Sequence, residues 1–174
     1  DLASLTININ QASTPGNVST NGANSPITLT VAGDILINGQ TGGSLGGIVL
    51  GGVPPAMGDA IQITGGGDLT LVGGSGMGGG ASVSTFFGGN ISCNISGDYI
   101  LQGGSGAAGF ALISTGLFFG DGNVNLSGRN FFLTSGSNPV VNASAAAISN
   151  GLGLMGPSGN GSINLTSTGT TGIV

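Results

Sequence analysis

One short unit recurs along this chain, and it restricts the fold more than any other feature. Thr30-Val31-Ala32-Gly33-Asp34-Ile35-Leu36-Ile37-Asn38-Gly39 is followed by Thr64-Gly65-Gly66-Gly67-Asp68-Leu69-Thr70-Leu71-Val72-Gly73. A third copy runs Asn94-Ile95-Ser96-Gly97-Asp98-Tyr99-Ile100-Leu101-Gln102-Gly103, and a fourth opens Asn125-Leu126-Ser127-Gly128-Arg129. Each begins in a stretch with apolar residues at every second position: Ile27/Leu29/Val31, Ile61/Ile63, Ile91/Cys93/Ile95 and Val124/Leu126. Side chains alternate between the two faces of a strand, so these stretches are strands with one buried face. A Gly-Asp turn and a second short strand follow, then a Gly-Ser-Gly stretch and a third, variable apolar piece. Laying 94–98 over 125–129 puts Arg129 in the place of Asp98, a step of 31 residues.

Three short strands and three turns in each unit of about 30–34 residues are the signature of a stacked repeat. The expected fold is all-β: a right-handed parallel β-solenoid of about 4–5 coils, each strand pairing with its counterpart one coil away. Residues 27–161 hold the repeats, residues 1–26 an N-terminal strand, cap or donor strand, and residues 162–174 a C-terminal strand and tail. The inward set is Ile27, Leu29, Ile61, Ile63, Ile91, Cys93, Ile95, Val124 and Leu126; Thr28, Gln62, Ser92 and Asn125 face outward. Gly, 39 of 174 residues, is expected to supply positive φ at tight corners. The same Gly density disfavours helix, and residues 143–148 are the one stretch with helical character. A sandwich of short antiparallel strands is the alternative fold.

Composition removes several functions. Charged residues are 4% of the chain, with one Arg, no Lys, no His and six acidic residues for a net charge of −5. Nucleic-acid binding needs cations to displace counterions from phosphates, so it is excluded. Histidine acid–base catalysis is impossible, and Cys93 alone makes neither a disulfide framework nor a zinc site. Residues 99–120 carry no charge but are broken by Gly-Gly-Ser-Gly, so no transmembrane segment is expected. With one Arg, one Tyr and no Trp, little is left to hold a polysaccharide for a carboxylate pair to cleave. The expectation is a non-enzymatic protein with no cofactor.

The units resemble the β-helix repeats of filamentous-haemagglutinin-like and autotransporter passenger proteins, with Chlamydia-type polymorphic surface proteins a related comparison. The carrying residues are the strand–Gly–Asp–strand units at 30–37, 64–73, 94–103 and 125–134, with Gly-Gly-Ser-Gly at 73–76 and 103–106. Gly-Gly-Ile-Val at 46–49 only approaches the repeat signature of the polymorphic proteins. The resemblance implies secretion and a role as adhesin, surface fibre or display stalk. It carries over no catalytic residue.

Asp34, Asp68, Asp98 and Arg129 are expected to stack as a turn ladder. The Asp side chains would accept hydrogen bonds from turn N–H groups, and Arg129 would sit above Asp98. Calcium binding is the less favoured reading of the Asp column. Few surface charges give little protection against association, and Leu5, Ile7 and Ile9 offer an assembly strand at one end. The expected function is an extracellular or cell-surface structural protein that associates end to end with itself as a fibre subunit or fibrous segment. The alternatives are a monomeric adhesin or tailspike-like module binding glycan or host protein, and an ice-binding Thr array.

Overall fold

The computed structural model describes residues 2–3, 5–8, 17–22, 24–39, 46–52, 59–118, 120–137, 144–151 and 161–169. The strands are β1 (Leu5–Asn8), β2 (Asn17–Thr20), β3 (Ile27–Val31), β4 (Ile35–Asn38), β5 (Gly46–Leu50), β6 (Asp59–Gly65), β7 (Leu69–Val72) and β8 (Ala81–Thr85). They continue as β9 (Asn90–Ile95), β10 (Tyr99–Gln102), β11 (Ala111–Thr115), β12 (Val124–Gly128), β13 (Phe131–Thr134), β14 (Ala146–Asn150) and β15 (Ile163–Ser167). Every third strand joins the same sheet. Sheet I runs β3-β6-β9-β12-β15, sheet II β1-β4-β7-β10-β13 and sheet III β2-β5-β8-β11-β14. All pairings are parallel. The fold is therefore a parallel β-solenoid, and the described residues contain no helix. Residues 146–148, expected to have helical character, lie in β14; pairing Ile148 with Ile113 puts that side chain in an inward column.

Inward residues stack in columns along the axis. Sheet I contributes Ile27–Ile61–Ile91–Val124–Ile163 and Leu29–Ile63–Cys93–Leu126–Leu165. Sheet II contributes Ile35–Leu69–Tyr99–Phe131 and Ile37–Leu71–Leu101–Leu133. Sheet III contributes Val18–Ile48–Val83–Ile113–Ile148. These residues form one core, buried through the middle of the stack and partly exposed at Val18, Leu29, Leu133 and Ile148, while Ile163 and Leu165 at the end of sheet I stand exposed. Thr28 and Gln62 are exposed and Ser92 and Asn125 half-buried, so the period-2 reading places both faces of sheet I.

Sheet III departs from alternation. Every residue of β5, β8 and β11 is buried, so its outward face is also out of water. That face carries small polar groups bonded to one another and to backbone: Ser82 Oγ donates to Gly46 O and lies 3.1 Å from Ser84 Oγ. Ser149 Oγ donates to Ser114 Oγ at 2.8 Å. Buried hydroxyls are tolerable because they are satisfied this way. The variable look of the third apolar pieces reflects a strand buried on two faces.

Candidate functional site

The corner between sheets I and II carries most of the ionisable groups that interact. Asp34 Oδ1 accepts the Asp68 N–H at 2.9 Å, and Asp68 Oδ1 accepts the Asp98 N–H at 2.8 Å. Each carboxylate thus binds the backbone of the next corner, not of its own turn. The bonded partner is a dipole one strand spacing along, which offsets the repulsion that a bare Asp column would carry. The glycine before each Asp is explained by the same contact. A Cβ on Gly67 would strike Asp34 Oδ1, and one on Gly97 would strike Asp68 Oδ1. Both residues have φ outside the left-handed region, so close approach requires glycine here, not the positive φ expected from sequence. Positive φ occurs elsewhere, as at Gly88 and Gly120.

Arg129 does meet Asp98, but by a different register from the one the motif suggests. Asn94 pairs with Ser127 and Tyr99 with Phe131. Steps of 33 and 32 residues replace 31, and Asn130, not Arg129, stands at the rung above Asp98. Arg129 reaches back from one residue earlier. Its Nε and Nη2 donate to Asp98 Oδ1 and Oδ2, both at 2.8 Å, and Asn130 Nδ2 donates to Asp98 Oδ1 at 2.9 Å. Arg129 also lies 3.9 Å from Asp68 Oδ1. The bond from Arg129 holds the Asp98 carboxyl below its ordinary range, with Asn130 adding to the effect, and Asp98 raises the Arg129 guanidinium. Asn130 Oδ1 is sealed from solvent and has no partner among the described residues.

Sequence reasoning missed Tyr99. Its ring is fully buried and stacks on Phe131, with centroids 4.7 Å apart and planes 6° from parallel. Its hydroxyl donates to Cys93 O at 2.7 Å and Ser127 O at 3.2 Å. Burial raises its pKa, so it remains a donor. Gly128 gives the ring its space, since a Cβ there would lie 2.6 Å from Tyr99 Cε2. A lone Tyr in a column of Ile and Leu, opposite a Gly in the next unit, was the signal available. Cys93 is 1% exposed, and burial with help from the Asp59 charge pushes its thiol up to about 12. It packs as a small apolar residue.

Leu5 and Ile7 lie on β1, which pairs with β4 of the same chain, Leu5 beside Ile35 and Ile7 beside Ile37. Ile9 lies outside the described residues. At the opposite end, Ile163 and Leu165 continue the columns of Val124 and Leu126, yet each is 41% exposed whereas their neighbours are 0% and 1%. Among the described residues no group of His, Cys, Asp or Glu could hold a metal ion, and no helix is long and apolar enough to cross a membrane. Two shallow grooves lie on outer faces, one beside Asp34 and Asp68, the other among Ser92, Asn125 and Asn164. Compared with family models, curated proteins and solved structures, the chain matches none.

Proposed function

We propose that this solenoid is a non-catalytic structural protein of the extracellular space or cell surface that associates with itself end to end. One observation carries the reading: Ile163 and Leu165 extend buried core columns but stand 41% exposed. Apolar surface left in water at the edge of a sheet whose backbone can pair again favours association. The weakly charged surface supports the same reading, because a net charge of −5 over 174 residues offers little repulsion between copies. Stacking is favoured over donation of the N-terminal strand, since β1 is already seated on β4. A right-handed winding and a count of four to five coils belong to this proposal; the five strands in each sheet support the count. The test is sedimentation velocity with negative-stain electron microscopy of the purified 174-residue chain across a concentration series. Filaments one solenoid wide are expected. A single monomeric species at every concentration would refute the proposal.

A further inference from the structure

Self-association alone does not specify which edges meet; the pairing below rests on that reading. We infer that β15 of one copy receives β3 of a second copy in parallel, Ile163 beside Ile27 and Leu165 beside Leu29. Both strands are edges of sheet I, at opposite ends of its order. They share one pattern, Ile27-Thr28-Leu29-Thr30 against Ile163-Asn164-Leu165-Thr166. Each continues the same two inward columns. Translation along the axis therefore extends the columns without rotating any side chain to the wrong face. Outward neighbours would be Thr28 with Asn164 and Thr30 with Thr166, free of like-charge conflict.

The other two sheets agree. The same translation sets Leu5 beside Phe131 and Val18 beside Ile148, joining half-buried Leu5, Val18 and Ile148 to their own columns.

One local contact competes. Leu2 bridges Val31, with its N–H on Thr30 O at 3.1 Å and its carbonyl accepting the Ala32 N–H at 2.5 Å. Ser167 of the incoming β15 would take that place. Leu2 is 45% exposed and held by these two backbone bonds, which the second copy would replace with its own. The contact is head to tail and does not close on itself, which yields an open filament.

The experiment uses two chains with one added cysteine each, Thr28→Cys and Asn164→Cys, the native Cys93 staying sealed in the core of both. Oxidation of the equimolar mixture is expected to give disulfide-linked pairs of one chain of each kind, and neither chain alone should cross-link. Self-cross-linking of either chain alone would indicate a symmetric contact and overturn the pairing. Pelleting without the mixed cross-link would also overturn it while leaving self-association standing. Absence of any assembly by sedimentation would remove both. As a second variant, Leu165→Lys should weaken assembly at least about tenfold with an unchanged circular dichroism spectrum. Undiminished assembly of that variant would overturn the pairing.

Discussion

The two successive intervals in the middle of the solenoid differ in regularity. From β6–β8 to β9–β11 the step is 30 residues in every sheet once the register shift between Asp59 and Ile61 is passed: Ile61 to Ile91, Leu69 to Tyr99 and Val83 to Ile113. From β9–β11 to β12–β14 it is 33, 32 and 35: Ile91 to Val124, Tyr99 to Phe131 and Ile113 to Ile148. Inward columns nevertheless stay aligned through both. The strands are held by side chains that must fill one core at crystal-like density, whereas corners lie at the surface and absorb extra or missing residues. Repeat length can vary at the corners provided the parity of each strand is kept.

The regular interval should be the less forgiving of the two. Ile63→Asp places an unpaired carboxylate between Leu29 and Cys93 in a column where Ile63 is 1% exposed. The expected cost exceeds about 4 kcal/mol, enough to prevent folding. Gln62→Asp, one residue away on the exposed face, should change stability by less than about 0.5 kcal/mol. Circular dichroism with thermal melting checks both, and the reverse order would mean that the register of sheet I is slipped by one. In the irregular interval the next largest effect falls on Tyr99→Phe. It keeps the ring on Phe131 but strips hydrogen bonds from Cys93 O and Ser127 O, which belong to adjacent strands. A loss of about 1–3 kcal/mol is expected, read as a lower denaturant midpoint at constant slope. An unchanged midpoint would remove the tie across β9 and β12.

Particular residues explain how much of this was legible. Strand alternation exposed the inward residues of sheet I because only one face is buried there. It failed in sheet III, where β8 reads Ala-Ser-Val-Ser-Thr and every position is buried, so period 2 carries no contrast. The corner ladder was visible as Asp34, Asp68 and Asp98 because those steps of 34 and 30 match the register found. The step to Arg129 was misread. The likeness of 94–98 to 125–129 aligns Asn94 with Asn125, whereas the structure pairs Asn94 with Ser127. That two-residue slip conserves the face of every side chain, which is why inward and outward assignments survived an incorrect register. The corner after β12 is also one residue shorter: three residues lie between Ser127 and Phe131 and four between Asn94 and Tyr99. Nothing local in the sequence distinguishes a short corner from a shifted strand. Tyr99 and Gly128 could have done so as a pair, because a bulky ring needs an empty position across from it.

The smallest expected effect belongs to the ion pair at that shortened corner. Arg129 binds Asp98 through two nitrogens, but 55% of its side chain is exposed, and exposed pairs are weakened by water and salt. A double-mutant cycle of Arg129→Gln and Asp98→Asn should therefore show small but non-zero coupling, shrinking as salt is raised. The pH dependence fixes its sign. The folded Asp98 carboxyl titrates below its unfolded value, mainly because of Arg129. Its contribution is fully present above the unfolded value of about 3.9, and it is lost as pH falls through the lower folded value. Arg129→Gln should lower the melting temperature slightly at pH 7 and leave it closer to wild type in strong acid, where Asp98 is protonated in both proteins. Asp98 still accepts from Asn130 Nδ2 after that change, so part of the depression persists and the two melting curves converge over a narrow acid range. A difference that stayed constant from pH 7 into strong acid would show that Arg129 acts through packing of its aliphatic stem on the corner, not through its charge on Asp98.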